Sequence, residues 1–165
     1  MNVEEIMTPN PIVVAPQTRV REAAGILRRN RIGGLPVVEG DRVVGVITES
    51  DILSLLTVEE PSEDLWLPSP LEIIEVPIRE YINWGKTRKA LSSIGDMEVR
   101  NVMTSPAITI SADADIEEAA ALMLGEGIAR LPVVREGRLV GIVTRADIVR
   151  GVGRTFTTER RAPAS

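Results

Sequence analysis

The side chains of this chain best suited to chemistry lie in one short pattern that occurs twice. Thr48-x-x-Asp51 recurs as Thr144-x-x-Asp147, each time between an apolar run and a helix-like stretch. A threonine followed three residues later by a carboxylate has the spacing of a capping box, in which both side chains satisfy the first backbone N–H groups of a helix. A carboxylate there can also accept from ligand hydroxyls, since charged acceptors make the stronger hydrogen bonds. On spacing alone both readings stay open. The copies differ in charge. Glu49 inside the first pattern repels a phosphate, whereas Arg145 inside the second attracts one. Ahead of the preceding apolar strand, Gly34 in one copy is matched by Arg130 in the other.

Other chemistry is excluded by composition. The chain has no cysteine and no histidine, which removes disulfides, thiolate ligands, cysteine nucleophiles and the commonest general base. No paired acid/base carboxylates are identifiable, so no enzyme activity is expected. Asp113 and Asp115 read as a helix start rather than a metal site, and no metal is expected. A net charge of −5 argues against a nucleic-acid partner held by bulk electrostatics. No stretch approaches the ~20 apolar residues of a membrane span. The first residues lack a basic start followed by an apolar run, so no signal peptide is expected and the chain is read as cytoplasmic.

The elements that must position these residues are also duplicated. Residues 3–56 align without gaps on 99–152 at an offset of 96, with 18 identities in 54 positions. In the first copy, 12–14 is a brief strand or extended segment between prolines. Val20, Ala23, Ala24 and Leu27 then give 18–30 the spacing of an amphipathic helix, which Gly33 and Gly34 end. Strands at 35–38 and 42–48 flank a turn at Glu39-Gly40-Asp41, and 50–56 closes as a helix. The second copy repeats this with a strand at 108–110 and a helix at 116–124, ended by Gly125 and Gly127. A hairpin of 131–134 with 138–144 and a helix at 146–152 complete it. Each copy is thus β-α-β-β-α. Neither buries much alone, so the expected fold is mixed α/β (α+β): two such units packed with pseudo-two-fold symmetry, with crevices between them as natural ligand sites.

Met-Thr at 7–8 and 103–104, Glu-Ala-Ala at 22–24 and 118–120, Leu-Pro-Val-Val at 35–38 and 131–134, and Gly-x-x-Thr-x-x-Asp at 45–51 and 141–147 together resemble the CBS domain, named after cystathionine β-synthase. Two in tandem resemble a Bateman module. The resemblance implies a sensor of adenosine-containing ligands such as AMP, ADP, ATP or S-adenosylmethionine, with no cofactor required. It implies that Asp51 and Asp147 accept from ribose hydroxyls and that Thr48 and Thr144 contact ribose or phosphate. A helix N-terminus beside them would favour a phosphate. Arg130 matches a basic residue that meets phosphate in similar domains, and its fork suits phosphate oxygens. Ile32 and Ile128, with Val13 and Thr109, match positions that line adenine, although they are equally good core residues. Gly33 and Ala129 leave the backbone open to a ligand. With Arg145, these residues suggest one nucleotide site biased to the second repeat and a weaker, neutral-ligand or empty site at the first.

Residues 57–98 form an insert too long for a plain connection. A helix is expected at about 77–94, with Pro77 in its first turn and Gly95 as its stop. Trp66, Tyr81 and Trp84 all fall in this segment, which is either a dimer or partner surface or a cap on the chain's own core. Residues 153–165 lack periodicity and read as a mobile tail. The resulting domain division is 1–56, 57–98, 99–152 and 153–165. The expected function is a stand-alone regulatory module that binds an adenosine compound and signals to an effector protein. The resemblance further implies a homodimer with helices at the interface. The other functional class is a ligand-free structural adaptor, and the two differ in whether any nucleotide stabilises the protein.

Overall fold

A computed structural model describes residues 1–57 and 84–159. The chain runs β1 (Thr8–Pro9), α1 (Val20–Asn30), β2 (Gly34–Glu39), β3 (Arg42–Thr48), α2 (Glu49–Thr57), α3 (Trp84–Asp96), β4 (Ile110–Ser111), α4 (Ile116–Gly125), β5 (Arg130–Arg135), β6 (Arg138–Thr144) and α5 (Arg145–Glu159). Short 3-10 turns at Val3–Glu5 and Val99–Asn101 open the two repeats. The fold is mixed α and β, as expected.

Both hairpins follow from their short continuous apolar runs, such as Leu35–Val38 and Leu131–Val134, joined by tight turns. β2 pairs with β3 and β5 with β6, antiparallel, with register shifts between Val37 and Val38 and between Val133 and Val134. Glu136 and Gly137 both take positive φ in the second turn, as a two-residue hairpin loop needs. The first strand of each repeat is shorter than the sequence suggests. β4 pairs in parallel with β5 over only two residues, and in the first repeat the pairing shrinks to one bridge between Val14 and Val37.

The apolar stripe of α1 buries Val20, Ala23 and Leu27, and that of α4 buries Ile116, Ala119 and Met123. They cover two separate cores. One contains Leu35, Val37 and Ile47, the other Leu131, Val133 and Val143.

The leading segments of the two repeats are exchanged. β1 adds to β6 of the second hairpin, with Thr8 opposite Ile142. In the matching place Thr104 bridges Val46 of the first hairpin. Val3 is fully buried in the second core and Val99 in the first. Full burial of a side chain of this size contributes roughly 1.5–3 kcal/mol. Backbone bonds reinforce the exchange, from Val3 N–H to the carbonyl of Ala114 at 2.9 Å and from Val99 N–H to that of Thr18 at 2.8 Å.

Several helix boundaries differ from the sequence reading. α1 runs to Asn30 as expected but starts at Val20 rather than 18, and the residue that terminates it is not Gly33 but Arg31, which takes the left-handed conformation with φ 53° and ψ 44°. The next N–H, that of Ile32, then reaches back to the carbonyl of Leu27 at 3.1 Å. α5 continues through Glu159, so residues 153–159 are helical where the sequence showed no periodicity; once a helix is under way, each further residue adds a bond at little cost. The insert helix is observed from Trp84 to Asp96. The expected start at 77, with Trp66 and Tyr81, lies outside the described residues, as do 160–165. α3 packs on α1 and α2 of its own chain. There Arg19 Nη1 donates to the carbonyl of Asp96 at 2.6 Å and Arg21 pairs with its carboxylate. No helix among the described residues is long and apolar enough to cross a membrane.

Candidate functional site

Thr48 and Thr144 each end a hairpin strand at the point where a helix begins. Thr48 donates to Asp51 Oδ2 from its backbone N–H at 2.8 Å and from its hydroxyl at 3.0 Å, while its Oγ1 accepts from Asp51 N–H at 3.2 Å. Thr144 and Asp147 repeat this at 2.8, 2.7 and 3.3 Å. This is a complete capping box at the start of α2 and of α5. Capping leaves Oδ1 of each aspartate to be satisfied elsewhere, and there the copies part. Among the described residues, Asp51 Oδ1 is met only by the Thr104 hydroxyl, at 3.4 Å. Asp147, only 7 % exposed, has Oδ1 paired with Arg150. Arg150 lies one helical turn after Asp147, so its spacing was a readable signal that the sequence analysis passed over.

Two clefts lie between the repeats, and each is built from both. The cleft at Asp51, about 350 Å³, is lined by Thr48, Glu49 and Asp51 of the first repeat and by Ile128, Ala129 and Arg130 of the second. The cleft at Asp147, about 580 Å³, is lined by Thr144, Arg145, Asp147 and Arg150, with Arg31, Ile32, Gly33 and Gly34 from the first repeat. Both volumes fall within the range of small-molecule sites, roughly 300–1,000 Å³. Of Ile128, Ala129 and Arg130, which the sequence reading grouped with Asp147, Ala129 and Arg130 do border that cleft, and only Ile128 is corrected. Ile128 faces Asp51, Ile32 faces Asp147, and Gly33, Ala129 and Arg130 border both clefts.

Neither Val13 nor Thr109 lines a cleft. Their predecessors Ile12 and Ile108 do so instead. Side chains of an extended segment alternate between its two sides, and because Val14 and Ile110 point into the cores, the residues two before them share their side. Pro11, Thr104 and Ala107 also border the clefts and were not singled out by sequence. Thr104 could have been, as half of the repeated Met-Thr pair.

Arg130 occupies the middle of the pair. Its Nη1 donates to the carbonyl of Gly33 at 2.7 Å. A Cβ added at Gly33 would lie 2.5 Å from Nη2, and one at Gly34 would lie 2.6 Å from Nη1. The two glycines are thus the floor on which this arginine lies. Burial pushes the guanidinium below its ordinary range, while Glu49 and then Asp51 push it back up. Arg145 is tied down instead: its Nε donates to the carbonyl of Ile128 at 3.0 Å and its Nη2 to that of Met123 at 3.4 Å, which satisfies acceptors at the end of α4. Its expected freedom to attract a phosphate is reduced accordingly. No cluster of three or more potential metal-ligating acids occurs among the described residues.

Comparison with known proteins agrees with this arrangement. Residues 3–58 and 99–154 match the CBS domain. An uncharacterised protein of Methanocaldococcus jannaschii, MJ1426, is 38% identical over 151 residues, covering 90% of this chain and 89% of its own length. The chloroplastic CBS domain-containing protein CBSX1 of Arabidopsis thaliana is 34% identical over 84% of this chain, which spans 57% of that protein. The inosine-5′-monophosphate dehydrogenase of M. jannaschii is 31% identical, but this chain spans only 23% of it. Among solved structures, CBSX2 in complex with AMP is 28% identical with a TM-score of 0.67, covering 94% of this chain and 98% of that one. The CBS domain pair of MJ0100 in complex with 5′-methylthioadenosine and S-adenosyl-L-methionine is 26% identical with a TM-score of 0.68 and the same coverage. A doubled match over most of the chain, and two units that complete each other's sheets, make this protein a member of the CBS-domain family carrying a tandem pair.

Proposed function

We propose that this protein is a regulatory module that binds an adenosine compound in the clefts between its two CBS units and passes the binding state to a partner protein. The observation that carries the reading is the construction of each cleft. A Thr-x-x-Asp pair from one unit faces the residues ahead of the other unit's hairpin, with Arg130 shared between the two. The aspartate accepts from ribose hydroxyls through Oδ1, the oxygen that capping leaves over. The flanking isoleucines offer apolar surface for adenine. Related pairs with AMP, or with methylthioadenosine and S-adenosylmethionine, support the ligand class. A ligand acts only through a difference in affinity between two states. Cleft closure against the mutually exchanged units supplies such a difference without turnover of the ligand.

The same reading includes a homodimer formed through α2 and α5. Leu53 on α2 and Val149 on α5 occupy equivalent positions and are 59% and 70% exposed. Equivalent apolar residues on two helices related by a pseudo-two-fold axis suit a second copy of the chain.

A thermal-shift screen with AMP, ADP, ATP, S-adenosylmethionine and methylthioadenosine tests the ligand class. A compound at about 100 times its dissociation constant adds ~2.7 kcal/mol of stability. At least one is expected to raise the midpoint, and the increment is expected to vanish in Asp51→Ala or Asp147→Ala, whichever cleft it fills. If none stabilises the protein, the adenosine reading fails, and the capping boxes are left as structural devices of a ligand-free adaptor.

A further inference from the structure

The two clefts offer a ligand different charge. The cleft at Asp51 sets Glu49 and Asp51 against Arg130 alone, whereas arginines predominate around Asp147. The groups with spare capacity at Asp51 are acceptors. Among the described residues the Glu49 carboxylate makes no hydrogen bond or ion pair, and Asp51 Oδ1 has only its long contact with the Thr104 hydroxyl. The position also reverses charge between the units. Arg145 stands where the first unit has Glu49, and it is held by the carbonyls of Ile128 and Met123.

The donors at this cleft are committed already. Thr48 N–H is bonded to Asp51 Oδ2 at 2.8 Å, Glu49 N–H to the carbonyl of Gly33 at 3.1 Å, and Asp51 N–H to Thr48 Oγ1 at 3.2 Å. The start of α2 thus offers an anion less than a bare helix N-terminus would. Arg130 Nη1 donates to the same Gly33 carbonyl, at 2.7 Å. Glu49 stands close to that arginine: a Cβ added at Gly33 would lie 3.4 Å from Glu49 Oε2 and 3.4 Å from Arg130 Cζ. Burial works against the charge on Arg130, while Glu49 and then Asp51 work for it. The field of the exposed Glu49 carboxylate therefore reaches the middle of the cleft.

We infer that Glu49 makes the Asp51 cleft selective for adenosine compounds whose 5′ substituent is positively charged, an ammonium or a sulfonium group, over uncharged ones. The inference rests on the adenosine reading above and assigns a ligand class to one of its two sites. Asp51 Oδ1 takes the ribose hydroxyls, and Glu49, two residues earlier on the first turn of α2, takes the charge at the 5′ end. A cation placed there is attracted by both carboxylates, and hydrogen bonds between ionised groups are the stronger kind.

Titration calorimetry of the full chain tests this with two pairs of ligands that differ in one charge. The first pair is 5′-amino-5′-deoxyadenosine, protonated at neutral pH, and adenosine. The second is S-adenosylmethionine and S-adenosylhomocysteine, which lacks the sulfonium charge. The parent is expected to prefer the cation of a pair roughly tenfold, the effect of one charge-assisted hydrogen bond, and Glu49→Gln to lose that preference, with the uncharged member changed by less than about twofold. Because the Glu49 side chain is exposed and bonds to nothing, Glu49→Gln is expected to melt as the parent does. Glu49→Arg, with the residue type of the second unit, is a further variant expected to lose at least as much. A loss in either pair supports the assignment and tells which cation the cleft takes. If the preference in both pairs is absent from the parent or unchanged in both variants, the assignment is overturned while the adenosine reading stands. If none of these compounds, nor AMP or ATP, binds the parent, the adenosine reading itself is overturned and the assignment with it.

Discussion

Thr144 and Asp147 satisfy each other in both directions at the start of α5, and this places a firm cost on changing either. Thr144→Val keeps the shape of the side chain but removes the hydroxyl that accepts from Asp147 N–H. We expect a loss of about 1 kcal/mol, as for other N-caps, read as a lower urea midpoint with an unchanged slope. A loss of a few tenths or less would show that water replaces the hydroxyl and that the cap contributes little. The Thr-x-x-Asp spacing contained both the cap and the ligand reading, because the geometry serves both: one carboxylate oxygen is taken by the cap, the other faces outward. What the spacing did not contain was the neighbour of that second oxygen. At Asp147 it is Arg150, so a ribose there shares its acceptor with a guanidinium; at Asp51 it is the distant hydroxyl of Thr104.

Among the elements, the hairpins were the most legible, since paired apolar runs on either side of turn residues at Gly40 and Gly137 leave few alternatives. β3 and β6 run from Arg42 to Thr48 and from Arg138 to Thr144, as the sequence analysis expected. Helix ends were less so, for a reason visible in the glycines. Gly33 and Gly34 look like helix terminators, yet α1 is ended by Arg31, and these glycines make room for Arg130. A glycine needed for close approach and one needed for a turn are the same letter in a sequence. Gly45 and Gly141 are another case of close approach, lying under the Met-Thr pairs that cross them. A Cβ on Gly141 would meet Met7 Sδ and lie 3.0 Å from the carbonyl oxygen of Thr8. Methionine can swing aside, but the carbonyl is held in the β1–β6 ladder. Gly141→Ala is therefore expected to cost about 1–3 kcal/mol, as overpacked sites do. Gly125→Ala, in a helix with nothing within 4 Å of the new Cβ, is expected to be neutral or to gain up to about 1 kcal/mol. Equal midpoints for the two variants in chemical denaturation would contradict the crossing as a packing constraint.

At the scale of the whole molecule, the duplication was plain from the constant offset, but the exchange of leading segments was not. Val3 and Val99 are equivalent residues, and nothing in a pattern of apolar spacing says which of two equivalent cores each enters. The outward faces of α2 and α5 bear on assembly. If a second copy covers them, the pair of substitutions Leu53→Glu and Val149→Glu should convert the protein from dimer to monomer in sedimentation equilibrium, since a carboxylate buried without a partner opposes association strongly. These residues lie outside both clefts, so ligand-induced stabilisation should persist in the monomer. An identical mass for parent and variant would rule out that interface. The exchange has a further consequence for what a single repeat can do alone. A polypeptide with one repeat would have a hairpin lacking its crossing segment and a leading segment with nowhere to go, and only a second molecule could complete it. Each half of the tandem chain thus does for the other what a second molecule would do in a homodimer of single repeats. In a homodimer of single repeats the residues at 34 and 130 would have to be identical, whereas here Gly34 leaves the space in which Arg130 lies. Covalent linkage lets one half carry the arginine and the other the space for it, and with that two chemically different clefts where an exactly symmetric pair would have two alike.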